Sequence, residues 1–132
     1  MKTRIAISVL LFFLVTGCGA SSANKPVIKL GEELQLGYQQ SATLAQGGFT
    51  VTFKTLVEDS RCPEGTNCVW AGNAKVVITV MGTDATLNTN GSPREVSLSG
   101  YKIQLLDVSP HPKLNQQQAP ETYSINLIVT KE

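Results

Sequence analysis

From residue 27 onward the apolar positions recur with a period of two. In "ELQLGY" (33–38), Leu34, Leu36 and Tyr38 share one face. In "FTVTFKTLV" (49–57), Phe49, Val51, Phe53, Thr55 and Val57 share one face, and Thr50, Thr52 and Lys54 take the other. "AKVVITVM" (74–81) is apolar on both faces, as in a strand with neighbours on each side. "REVSLSG" (94–100) and "YKIQLLDV" (101–108) alternate less cleanly, and "ETYSINLIVTK" (121–131) aligns Tyr123, Ile125, Leu127 and Val129. Alternation combined with β-branched and aromatic residues predicts strands. Turn formers separate them: "QGG" at 46–48, "NGSP" at 90–93, "SG" at 99–100 and "SPHP" at 109–112. Asn90-Gly91-Ser92, although it matches a glycosylation acceptor, reads as one of these turns, and "LNQQQAP" (114–120) reads as a surface loop. No stretch has the period of an amphipathic helix. The pattern predicts an all-β fold: a single β-sandwich over residues 27–132, of immunoglobulin-like size, with about seven or eight antiparallel strands.

The first residues break the pattern. "MKTR" is basic, "IAISVLLFFLV" (5–15) is an uninterrupted apolar run, and "TGCGASS" is small and polar. This is the layout of a signal peptide. The run is too short for a bilayer-spanning helix, which needs about 20 residues. "LVTGC" (14–18) resembles the lipobox of bacterial lipoproteins. That resemblance implies cleavage after residue 17, with Val15, Thr16 and Gly17 before the cut. It also implies a diacylglycerol on the Cys18 sulfur and acylation of its amine. Valine at the first of these places is a departure from the more typical leucine. Residues 1–17 are then the signal peptide and 18–26, ending in "NKP", a polar tether. Gly19, rather than aspartate, after the lipidated cysteine resembles the default for the outer membrane in a Gram-negative cell.

Cysteine arithmetic agrees with this division. An exported chain with three cysteines has one left over. If Cys18 carries lipid, Cys62 and Cys68 remain, and outside the cytosol such a pair is expected to be oxidised. Five residues, "PEGTN", separate them, and their proline, glycine and asparagine supply the reversal that a bridge needs. So small a ring stabilises by about 2–2.5 kcal/mol, against a total of about 5–15 kcal/mol for a domain.

The stretch "EDSRCPEGTNCVWAG" (58–72) also contains the chain's one tryptophan. Two readings of it stand side by side. In the first, the bridge keeps a long hairpin connection from fraying and Trp70 packs over the disulfide or into the core. In the second, the closed loop presents Arg61, Glu64 and Asn67, with Trp70 beside them, to a partner at low entropic cost. Asp59 or Glu58 is expected to pair with Arg61 at the surface. "DSRCP", a short spacer and "CVWAG" together resemble a segment of small uncharacterised bacterial lipoproteins and secreted proteins. Asp59, Ser60, Arg61, Cys62, Pro63, Cys68, Trp70, Ala71 and Gly72 occupy that pattern, and "YKIQLLDVSPHPK" (101–113) looks like a second shared segment. The resemblance implies the fold and the bridge and assigns no activity.

Composition argues against several kinds of chemistry. Removing Lys2 and Arg4 from eleven basic residues leaves nine against ten acidic ones, with no basic stripe for nucleic acid. C-x5-C in a β context is not the C-x-x-C of a redox site at a helix start. The only histidine, His111, sits between two prolines, which makes a zinc set or a Ser-His-Asp triad improbable. Glu58, Asp59 and Glu64 lack the spacing of a calcium loop. Asp107, the one acidic residue within an apolar run, reads as a strand-end or turn residue. The expectation is a non-enzymatic domain without cofactor or metal, held at the cell envelope by its N-terminal lipid. Its loops would bind a protein or an envelope component. An inhibitor-like binder using loop 61–68 is the alternative, and a carboxylate- or metal-dependent enzyme the third class.

Overall fold

A computed structural model describes residue 19 and residues 24–132. The expected signal peptide, Cys18 and most of the tether lie outside the described residues.

Among the described residues nine strands follow one another: β1 (Val27–Ile28), β2 (Glu33–Gly37), β3 (Ser41–Leu44), β4 (Thr50–Asp59), β5 (Ala74–Val80), β6 (Thr83–Asn88), β7 (Glu95–Leu98), β8 (Tyr101–Ser109) and β9 (Ser124–Lys131). A 3-10 turn, Pro120–Thr122, precedes β9. The strands form two sheets, β1-β3-β4-β5-β6 and β2-β9-β8-β7. Their inner faces share one core. The all-β sandwich expected from the period-two pattern is therefore the fold. Three elements go beyond the expectation: β1, β3 and β6 are short or rich in small and polar residues. β1 also pairs parallel with β3, Val27 opposite Thr43, so the sheets are not wholly antiparallel.

The core is built as alternation dictates. β5 buries Ala74, Val76, Ile78 and Val80 and half-exposes the residues between them. β9 does the same with Ile125, Leu127 and Val129. Phe53 is fully buried, with Tyr38 edge-on to it at 6.1 Å between ring centres. β4 departs from the expected single face. Its pairing with β5 shifts register between Phe53 and Thr55 and again between Leu56 and Glu58. Each bulge changes which way the following side chains point. Leu56 thus packs against the core, whereas Val57 is exposed.

The register also defines two ends. Asp59 opposite Ala74 in one sheet and Ser109 opposite Ser124 in the other lie at the end that carries loop 60–73. The β5–β6 turn at Met81-Gly82 and the β7–β8 turn at Ser99-Gly100 lie at the opposite end. Among the described residues no helix is long and apolar enough to cross a membrane, which says nothing about a lipid anchor.

Candidate functional site: the disulfide-closed loop

Loop 60–73 continues the β4–β5 ladder before it opens. The Ser60 N–H donates to the Asn73 carbonyl at 2.8 Å and the Cys62 N–H to the Ala71 carbonyl at 3.0 Å. Gly72 sits where the two arms pass closest. Its φ is +72°, and a Cβ there would stand 1.9 Å from the Ser60 carbonyl oxygen. Only glycine fits both the left-handed backbone and the contact. Beyond this neck the Cys62–Cys68 disulfide closes the loop, with Cα atoms 5.8 Å apart. The bridge expected from cysteine arithmetic is present. Inside the ring the Thr66 hydroxyl donates to the Pro63 carbonyl at 2.7 Å.

Arg61 is buried, not displayed. Its side chain and that of Asp59 are 6% and 8% exposed. The guanidinium grips the carboxylate with two prongs, Nε to Oδ1 at 2.8 Å and Nη2 to Oδ2 at 2.7 Å. Nη1 donates to the Val108 carbonyl, and Nη2 donates to the Pro110 carbonyl at 2.9 Å. The Tyr123 hydroxyl donates to Asp59 Oδ2 at 3.3 Å, and the Arg61 backbone N–H to Oδ1 at 3.3 Å. Asp59 ends β4 of one sheet. Val108 and Tyr123 belong to the other sheet and its approach. The pair is therefore a polar fastening between the sheets at the loop end. This corrects two expectations: Arg61 is not offered to a partner, and its pairing with Asp59 is not at the surface. Two-pronged geometry and satisfaction of the remaining donors are what make a buried ion pair tolerable.

Burial alone would raise the Asp59 carboxyl pKa. The Arg61 hydrogen bonds and charge, with the Tyr123 hydroxyl, outweigh it and leave the carboxyl below its ordinary value of 3.8. Burial first, then the Asp59 charge and hydrogen bond, push the Tyr123 phenol above its ordinary 10.0. A depressed folded-state carboxyl stabilises fully above its unfolded value and loses that contribution as pH falls through the folded one. Urea midpoints of the wild type are therefore expected to drop as pH is lowered from about 4 toward 2. In Asp59→Asn that part of the drop should be missing, because the amide does not titrate.

Other contacts dock the loop from both sides. The His111 Nε2–H donates to the Cys62 carbonyl at 2.9 Å, and the Gln118 amide donates to the His111 carbonyl at 3.0 Å. The Glu64 N–H donates to the Pro112 carbonyl at 2.9 Å, which pairs Glu64 with Lys113. On the other flank the Asn73 amide donates to Asn88 Oδ1 at 2.8 Å, and Asn73 Oδ1 accepts the Asn90 N–H at 3.0 Å. Asn90 in turn donates to the Gly72 carbonyl at 3.1 Å. The "NG" turn thus serves as a bracket for the loop neck, a role sequence spacing did not show.

Past these fastenings the loop is bare. Glu64 and Asn67 are exposed, as expected of displayed residues. Val69 is 106% exposed and Trp70 68%. Trp70 therefore does not pack into the core, which corrects that part of the first reading of the loop, whereas the bridge it expected is present. Asp107 lies in β8 just after a bulge and faces solvent. Among the described residues no group of three or more His, Cys, Asp or Glu side chains could hold a metal ion. A shallow depression of about 230 Å³ lies at the opposite end, between Ile28, Leu30 and Leu44, away from the loop.

No protein-family description, curated protein or solved structure matches the chain.

Proposed function

We propose that the chain is a lipid-anchored protein of the bacterial cell envelope. Its β domain is a binding module rather than an enzyme, and it engages a protein or an envelope component through loop 60–73. The observation that carries this reading is the exposed Val69–Trp70 pair on a loop tied down on every other side. An isolated exposed valine or leucine is ordinary. Two adjacent apolar side chains are different when they are raised on a disulfide, a glycine neck and a buried ion pair. The disulfide at Cys68 and the close approach at Gly72 flank the pair and restrain the backbone that carries it before any partner arrives, which lowers the entropic cost of contact. Tryptophan is enriched among residues that dominate binding energy. Glu64 and Asn67 supply polar groups beside it. The anchor is supported by the lipobox-like "LVTGC" and by a cysteine count that closes once Cys62 and Cys68 are bridged.

The test uses protein made in its own host. Mass spectrometry of the mature N-terminus is expected to find an acylated Cys18, and Cys18→Ala is expected to move the protein from the membrane to the soluble fraction. In the Cys18→Ala background, residual association with isolated envelopes should fall at least tenfold on adding Trp70→Ala. An unmodified amino terminus, or association indifferent to Trp70, contradicts the reading.

A further inference from the structure

We infer that the Val69–Trp70 tip is a second membrane contact, seating the loop end of the sandwich in the interface of the same bilayer that holds the lipid. This rests on the lipid-anchored reading and names the envelope component as a lipid surface.

Three observations converge on a bilayer. The first is chemical. Trp70 offers a large amphipathic ring and Val69 a fully exposed apolar side chain, and tryptophan concentrates at the membrane–water interface. Val57 and Leu114 are exposed at the same end, Leu114 directly after the Lys113 that pairs with Glu64. One charge near this end is paired: Glu58 is 3.4 Å from Lys75. The second is area. Two side chains fall far below the roughly 800 Å² per partner of a stable protein–protein interface, so a second copy of the chain is a poor occupant.

The third is the path of the chain. β3 runs away from the loop end, since Ser41 pairs with Thr52 and Thr43 with Thr50. β1 is parallel to β3, so the tether enters Val27 from the loop side. Val27 lies level with Thr50; one step on, β5 covers the rise from Val51 to Asp59 in the six steps from Val80 to Ala74, and the neck adds three more to Ala71, a height of roughly 33 Å. The nine residues 18–26 span at most about 30 Å when extended. The greatest reach of the tether therefore brings a lipid on Cys18 to about the level of the loop neck, next to the surface that the tip would enter. Acyl chains hold the protein there, and the tip fixes which way it faces.

Trp70 is its own reporter, because the chain has no other tryptophan. The lipidated protein is reconstituted into vesicles of phosphatidylethanolamine and phosphatidylglycerol, and Trp70 emission is recorded. A shift to shorter wavelength is expected, with quenching by brominated acyl chains and no loss in high salt. Val69→Ser should shrink the shift. Deleting residues 20–23 should abolish it while leaving Cys18 acylated, since five residues reach only about 18 Å. Emission that stays water-like in protein retained by the vesicles overturns the inference and leaves the anchor intact. That result is also expected if the opposite end, with Val27, Leu30 and Met81 exposed, is the seated one. An unacylated Cys18 overturns both readings, because the weak contact of the tip is then without the anchor it is inferred to supplement.

Discussion

Gly72→Ala is expected to prevent stable folding, with loss of the cooperative melting transition or a cost beyond about 4–5 kcal/mol. Two separate effects combine there. A left-handed backbone costs a residue with a side chain about 1–2 kcal/mol. The larger effect is steric. The new methyl would lie 1.9 Å from the Ser60 carbonyl oxygen and 2.7 Å from the Arg61 Cα. Both are backbone atoms, so no rotamer relieves the clash. The arms of the loop must part, and the Ser60–Asn73 and Cys62–Ala71 hydrogen bonds part with them. Gly65→Ala is the control. It has a similar φ of +78° but nothing within 4 Å of the new methyl, so its cost should stay near the backbone cost alone. Equal urea midpoints for the two variants would refute the steric account.

Arg61→Ala is expected to cost about 3–5 kcal/mol, the range for removing one partner of a buried ion pair. Asp59 would be left buried against Tyr123, and the Val108 and Pro110 carbonyls would lose their donor. Removing Asp59 as well relieves the unpaired charge, so the double variant Asp59→Ala/Arg61→Ala should cost less than the two single costs added together. It should still fall short of the wild type, because the two carbonyls remain without partners. Lysine at 61 should rescue little, since an ammonium cannot reproduce the two-pronged grip. Urea unfolding of the wild type, the two single alanine variants, the double variant and Arg61→Lys at pH 7 measures this directly. Simple additivity would mean that Asp59 and Arg61 are independent and that the fastening between sheets is not a unit.

The strands that were legible in the sequence are the ones whose core faces are apolar without interruption. β9 alternates over most of its length and its burial follows that alternation, while β5, apolar on both faces, was legible from its continuous β-branched run and buries every second residue. "SATL" and "TDATLN" hide β3 and β6, because small and polar residues at partly exposed positions carry little periodic signal. β1 has two residues and borrows its identity from β3. The bulges in β4 erased the expected placement of Val57, and nothing in "FKTLVED" marks an inserted residue.

The loop shows the same limit. Spacing and turn residues were enough to expect the Cys62–Cys68 bridge, because its partners are local. Arg61 was read as displayed because an arginine among turn residues is ordinarily solvated. Its burial depends on carbonyls 47 and 49 positions away, delivered only when the second sheet closes over the first. A signal was nevertheless there. Asp59 and Arg61 are two apart at a strand end, hence on one side, and Tyr123 immediately precedes the last strand. Trp70 was misread for the complementary reason. A tryptophan beside a disulfide in a sandwich is commonly core, and only the folded loop, in which Trp70 is 68% exposed, shows that this one lies outside it.

The central claim divides the loop into a buried fastening and an exposed contact. It is tested most directly by adding Trp70→Ala to the Cys18→Ala protein and measuring both melting temperature and residual association with isolated envelopes, each against Cys18→Ala alone. A melting temperature close to that of Cys18→Ala alone, as for a surface substitution worth under about 0.5 kcal/mol, together with lost association, is the predicted result. A fall of many degrees, or association as strong as that of Cys18→Ala alone, would contradict it.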